Sequence, residues 1–346
     1  AAQAQGLIYD DGSHRQVLGG LGTLAVDPGS QVVRLRRIVA HPDRTDAAEG
    51  EEFAVEPGSE RELPAGRYLA DNGAGATRAL RIERGGRCVL ALPAPSALPK
   101  GVRYIPAGMA RVDGRATSNP VGHFGMLERE VSCAEWLEFV NALPNRRLIA
   151  DAYRDGQWIL VPRESVSADL PVLWRQNGVP GKLGTFVLET RDGTAIDPRL
   201  PVSSISHDDA VAYARWRAER DQLPWRLPTR LEWTMAAQGG DGRTYPWGDR
   251  GDPGLCCSFV GAAKFSGILP PGGSFPSDRS VQGVFDLAGS LSEYVEVSAP
   301  DATLATIMGG NRADRQFERF ATWARRESVR KQAYVICGVR LALTIH

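Results

Sequence analysis

Between residues 7 and 94, short apolar runs alternate with polar positions and are cut at close intervals by turn dipeptides. The runs are 21–27, 31–40, 52–57, 66–71, 76–83 and 87–93, separated by Asp-Gly, Pro-Gly, Asn-Gly and Gly-Gly pairs. Alternation with this punctuation predicts a small β-sandwich. Within it, Arg61 to Tyr68 reads as a turn feeding a strand. A proline-rich linker, 95–102, ends this β-rich module (1–94), and a second domain runs from 103 to 346.

The second domain changes period. Ser132 and Glu135 form a Ser-x-x-Glu capping box, and Trp136, Phe139, Val140 and Leu143 follow at helical spacing, with Pro144 as the stop. Residues 145–200 return to short apolar runs and turn pairs, which predicts a hairpin-bearing insertion. Ser206 and Asp209 start a second helix with Ala210, Tyr213 and Ala214 as its buried stripe and Trp216 beside it. Thr229 and Glu232 start a third. Short capped helices among strands and loops make the expected class α+β.

Residues 311–336 fit neither period. They contain no glycine or proline, carry seven Arg or Lys against three Asp or Glu, and include Phe317, Phe320, Trp323 and Tyr334. Gly309-Gly310 precedes them and Gly338-Val339-Arg340-Leu341 closes them. An unpatterned, arginine- and aromatic-rich stretch between fixed ends reads as a binding surface on a scaffold.

Composition narrows the function classes. Lys plus Arg and Asp plus Glu are 41 each, so no global field favours nucleic acid or an acidic membrane. No apolar run approaches the ~18 residues that would cross a bilayer. The five cysteines (Cys88, Cys133, Cys256, Cys257, Cys337) form no Cys-x-x-Cys pair, although adjacent Cys256 and Cys257 leave a vicinal disulfide open beside ordinary buried thiols. An odd count without a framework leans towards a reducing, cytoplasmic setting. Removal of a leader before residue 1 would instead imply a surface location. The five histidines (His14, His41, His123, His207, His346) do not cluster, and no phosphate loop, Ser/His/Asp set or zinc motif is present.

The runs Arg226-Leu227-Pro228-Thr229-Arg230-Leu231-Glu232-Trp233 and Tyr245-Pro246-Trp247-Gly248-Asp249 resemble motifs of the formylglycine-generating-enzyme (sulfatase-modifying factor) family. So do Glu130-Val131-Ser132, Pro201-Val202, Ser206 to Ala210, Gly283 to Ser290 with Glu293, and the two glycine bookends. The motifs keep the family's order over roughly 103–343. The resemblance implies a C-type-lectin-like fold, and the preceding β-module resembles that of bacterial chains of this type; no kinase signature accompanies it.

The family's oxidases place two copper-binding cysteines between the glycine bookends; here that interval offers only Cys337. The related iron-dependent sulfoxide synthases need a histidine triad, which is absent from this sequence. The resemblance therefore points to a non-catalytic branch, the variable proteins of diversity-generating retroelements, with no copper. In these proteins a C-type-lectin-like scaffold carries a diversified surface that binds a protein or other macromolecular ligand. The residues expected at that surface are Arg312, Asp314, Gln316, Phe317, Glu318, Arg319, Phe320, Trp323, Arg325, Ser328, Arg330, Lys331 and Tyr334, with Arg340 assigned to the scaffold. The family's calcium motif maps onto Asp286, Gly289, Leu291 and Glu293, which implies structural calcium; the position that opens the family's other calcium site is Ser258 rather than Asn. The alternatives are an oxidase with a rearranged thiol site and a partner-docking domain of a signalling chain.

Overall fold

The computed structural model describes residues 20–40, 45–95, 97–112, 118–153, 159–162, 173–177, 182–189, 193, 195–262, 269–297, 299 and 302–345. The expectations for the chain start, His14, His41, His346, Gln157-Trp158 and Arg191-Asp192 lie outside them.

The N-terminal strands are β1 (Leu21–Val26), β2 (Val33–Val39), β3 (Ala47–Val55), β4 (Glu60–Pro64), β5 (Gly66–Asp71), β6 (Thr77–Ile82) and β7 (Arg87–Leu90). They form two sheets, ordered β4-β1-β7 and β3-β2-β5-β6. Leu24, Val33, Leu35, Leu63, Tyr68, Leu80 and Leu90 close the core between them. The expected turn before Tyr68 is itself the edge strand β4, paired antiparallel with β1. Its Glu60-Arg61-Glu62 run hid it, because only Leu63 of that strand is buried.

The larger domain is built from β8 (Val102–Ile105), β9 (Gly108–Arg111), β10 (Ser118–Val121), β11 (Phe124–Leu127), β12 (Leu173–Asn177), β13 (Thr185–Glu189), β14 (Trp225–Arg226), β15 (Ser292–Tyr294), β16 (Leu304–Met308), β17 (Arg325–Val329), β18 (Cys337–Gly338) and β19 (Ala342–Thr344). One sheet runs β14-β19-β11-β8 and a second β17-β16-β15-β18, while β9/β10 and β12/β13 are separate hairpins. The helices are α1 (Cys133–Asn141), α2 (Leu143–Ala152), α3 (His207–Asp221), α4 (Arg230–Gln238) and the short α5 (Phe259–Ala262).

All three predicted capping boxes form: Ser132 with Glu135, Ser206 with Asp209, and Thr229 with Glu232. Each satisfies helix-end N–H groups and contributes about 1 kcal/mol. Trp136 stacks on Tyr213 at 5.0 Å, and Phe139 meets both edge-on, which fastens α1 to α3. Pro144 does not simply stop α1. It sits in the first turn of α2, where its missing N–H costs nothing, and Leu143 is exposed rather than part of the apolar stripe.

The two domains are joined by charge and backbone contacts. Arg67 of β5 pairs with Asp46 and lies 3.2 Å from Asp249. The Asp46 N–H donates to Trp247 O at 3.0 Å, and the Ala79 N–H to Gly239 O at 2.9 Å. The motif Tyr245-Pro246-Trp247-Gly248-Asp249 therefore receives the β-module.

Candidate functional site: the 311–336 surface and the charged frame beneath it

The segment leaves β16 through two glycines that packing requires. Gly309 has φ +74°, and a Cβ on Gly310 would stand 2.6 Å from Phe320 Cδ1 and 2.7 Å from Ala288 O. Beyond them Asn311 is fully buried. Its amide donates to Ser292 Oγ at 3.1 Å, and its own N–H donates to Asp314 Oδ2 at 3.0 Å. Arg326 of β17 grips Asp314 through both oxygens, at 2.5 and 3.1 Å, and also donates to Ser292 Oγ. A bidentate, half-buried pair of this kind fixes backbone rather than awaiting a ligand.

The expected contact residues therefore divide. Gln316, Phe317, Glu318, Arg325 and Lys331 are exposed; Arg312, Arg319, Trp323, Arg330 and Tyr334 are half-buried. Phe320, 1% exposed, is core against Tyr245 and Trp247, and Ser328 is buried with its hydroxyl donating to Ala305 O, so neither presents itself to a ligand. Asp314 belongs to the frame through Arg326. Tyr334 accepts the Val329 N–H at its hydroxyl, and Arg330 pairs with Asp208 at the start of α3.

Side chains from elsewhere extend the surface. The Arg315 guanidinium lies 3.6 Å from the ring centroid of Phe259, on α5. Phe259 and Val260 are 48% and 52% exposed and Phe317 45%, and the Phe317 ring lies against Gly251. The adjacent apolar pair Phe259-Val260 was the available signal, but nothing local places it beside residue 315.

Under the segment sits a buried acidic cluster. Arg340 is fully buried, contacts Glu293 at 2.7 and 3.1 Å, and donates to Leu127 O and Phe285 O. Trp233 Nε1 donates to Glu293 Oε2 at 2.7 Å. Glu130 accepts from Ser290 Oγ and the Leu291 N–H, Asp278 from the Ala288 and Gly289 N–H groups, and Asp286 from the Gly273 N–H at 2.6 Å. Burial, and then the neighbouring carboxylates Asp286 and Glu293, push Glu130 well above the usual carboxylate range. Burial raises Asp278 to about 8 and Asp286 to about 6, against the pull of the backbone donors and Arg340.

Of the calcium set expected at Asp286, Gly289, Leu291 and Glu293, the two carboxylates both lie in this cluster: Asp286 accepts the Gly273 N–H, and Glu293 has its oxygens on Arg340 and Trp233. Ser258 donates to Pro253 O at 2.6 Å and accepts the Gly261 N–H, a turn role.

Four of the five thiols are buried, and Cys88 is half-buried. All five cysteines are free, so no vicinal disulfide forms. Burial pushes Cys337 up to about 12, against the pull of the neighbouring Tyr294 hydroxyl. It likewise pushes Cys257 to about 12, and Cys256 is held well above the usual thiol range. His207, the first residue of α3, is buried with Nε2 3.1 Å from Val295 O.

The model of the sulfatase-modifying factor enzyme 1-like domain matches residues 91–345. The formylglycine-generating enzyme of Mycobacterium tuberculosis is 33% identical over 136 residues, 35% of this chain and 42% of the relative. The protein named inactive C-alpha-formylglycine-generating enzyme 2 of Bos taurus is 31% identical over 159 residues, 42% of this chain and 47% of the relative. The chain thus spans less than half the length of these relatives, one named for an activity and one for its loss. Among solved structures, PvdO from Pseudomonas aeruginosa superposes with a TM-score of 0.50 at 18% identity, over 70% of this chain and 94% of that one. Treponema denticola variable protein 1 gives 0.43 at 14% identity, over 70% and 94%.

Proposed function

The chain belongs to the sulfatase-modifying factor enzyme 1-like family, and we propose that within it this protein is a non-catalytic binder, a variable protein of a diversity-generating retroelement that displays 311–336 to a macromolecular ligand. The observation that carries the reading is the division of labour in that segment. Asn311, Asp314, Phe320, Arg326 and Ser328 hold the backbone, while Arg315, Gln316, Phe317, Glu318, Arg325 and Lys331 stand outside the core. Exposed side chains of this kind can be exchanged without changing the frame. Arginine and aromatic residues also suit a hot spot, because they bring area and a directional set of donors at small rotamer cost.

The oxidase alternative draws less support. A copper-thiolate site needs two adjacent, deprotonable thiols. Cys337 is buried with a raised pKa, and Cys256 and Cys257 belong to a different loop.

The neighbouring DNA tests the proposal. The expected result is a template repeat matching the codons of 311–336 and differing from the coding copy at adenines. A fixed segment in close relatives, with no repeat beside the gene, overturns it.

A further inference from the structure

Beyond the end of β11, three backbone contacts bring four segments of the larger domain together. The Glu128 N–H donates to Gly101 O at 2.8 Å, the Phe285 N–H donates to Glu128 O at 2.9 Å, and Phe285 and Arg279 form an antiparallel bridge. Each residue of the series 101, 128, 285 and 279 is therefore next to the one before it. At the usual spacing between paired chains, all four lie within about 15 Å.

Lys100, Arg103, Arg129 and Arg279 rise from these segments, and all are exposed. Arg103 Nη2 lies 2.5 Å from Glu128 Oε2, and Arg129 Nη2 3.2 Å from Glu128 Oε1, so two arginines share one carboxylate. The Arg129 and Arg279 guanidiniums lie over the same ring, 5.4 and 5.6 Å from the Phe285 centroid. Lys100 and Arg279 have no ion-pair partner among the described residues. Asp286, near Arg129 at Gly272, is buried and accepts the Gly273 N–H. Arg34, Arg87 and Arg175, by contrast, each have a carboxylate of their own. The chain is neutral as a whole, so this ridge is a local excess of positive charge whose members repel one another within about a Debye length or two.

A groove lies on each side of the ridge. One, of about 670 Å³, has Lys100 and Arg129 in its wall with Pro198, Pro201 and Pro271. The other, of about 540 Å³, has Arg103 and Arg279 with Pro246 and Pro276.

We propose that this ridge docks an extended acidic segment of a partner protein. Its carboxylates meet the three guanidinium forks and Lys100, and its side-chain stems lie against the groove prolines. About five extended residues reach across the ridge, whereas a single small anion meets only part of it. Single-stranded nucleic acid needs bare rings for its bases to stack on, and the Phe285 ring is taken by two guanidiniums. No residue of 311–336 takes part, so the site is separate from the display surface.

Fluorescence anisotropy of the full chain with fluorescein-labelled hexaglutamate tests the proposal. Saturable binding in the micromolar range is expected at low salt, weakening several-fold as salt rises from about 50 to about 200 mM. The combined variant Arg103→Gln, Arg129→Gln, Arg279→Gln should bind at least tenfold more weakly. Lys100→Gln with Arg279→Gln, which breaks no ion pair, should bind several-fold more weakly with an unchanged melting curve. Removing the same number of charges elsewhere, by Arg34→Gln, Arg87→Gln and Arg175→Gln, should leave affinity within twofold. Labelled hexathymidylate should bind at least tenfold more weakly than hexaglutamate. The proposal is overturned if hexaglutamate does not saturate, if the distant variant weakens binding as much as the ridge variants do, or if hexathymidylate binds as tightly.

Discussion

Arg340 Nη2 lies 2.7 Å from Glu293 Oε1, and both side chains are wholly removed from water. The pair joins the closing Gly-Val-Arg-Leu motif to β15, and Glu130 and Asp286 surround it. Removing one member leaves an uncompensated buried charge, which costs about 3–5 kcal/mol. Arg340→Met should therefore lower stability by that amount in urea unfolding. Melting curves with added calcium and with a chelator test the structural calcium expected at Asp286, Gly289, Leu291 and Glu293; calcium should raise the melting temperature, and an unchanged midpoint overturns that expectation.

Phe320 and Phe317 are three residues apart and opposite in role. Phe320→Ala should cost about 3–5 kcal/mol, the usual loss for a buried phenylalanine. Phe317→Ala, and a combined alanine exchange of Gln316, Glu318, Arg325 and Lys331, should each change stability by less than about 1 kcal/mol. Denaturant unfolding of the three variants checks this. A large loss in the combined variant would mean that the exposed side chains are structural.

Glu232 gives a pH dependence with a definite sign. Burial alone would raise its pKa, but the Arg226 fork and the Thr229 N–H override that and hold it below the ordinary value. A carboxyl depressed in the folded state adds stability above its unfolded pKa of about 4.3, and loses it as pH falls through the folded value. Glu232→Gln should lower stability at pH 7 by roughly 1–3 kcal/mol, and the deficit should shrink as pH falls below about 4. Melting curves from pH 7 to 3 read this out. A deficit constant with pH would show that the ionised form adds nothing.

Arg67 tests the junction between the domains. Its partners, Asp46 and Asp249, lie on opposite sides of the junction. Arg67→Met should destabilise the junction and separate the β-module's unfolding from that of the larger domain. Calorimetry should then show two transitions. One transition, unshifted from wild type, would mean that the backbone contacts at Trp247 and Gly239 suffice.

The capping boxes, the apolar stripe of α3 and most of the N-terminal strands were legible because each is written within a few consecutive residues. The edge strand β4 was not, since an exposed strand has no apolar alternation to betray it. The glycines that open the interval 311–336 are needed for a steric reason, local at Gly310 to the Phe320 contact. Its inward and outward residues could not be told apart. The segment is irregular between short elements, so position in the chain carries no facing information there.

What the sequence determined by itself was the family and the class of fold, because those rest on ordered motifs and local hydrogen bonding. The tertiary structure alone decided which charges are spent. Nothing near Glu293 in the chain announces Arg340, which closes on it from the final motif. Asp314 reads as a contact until Arg326 takes both its oxygens. Charge pairing is decided by proximity in space, and no spacing along a chain encodes it.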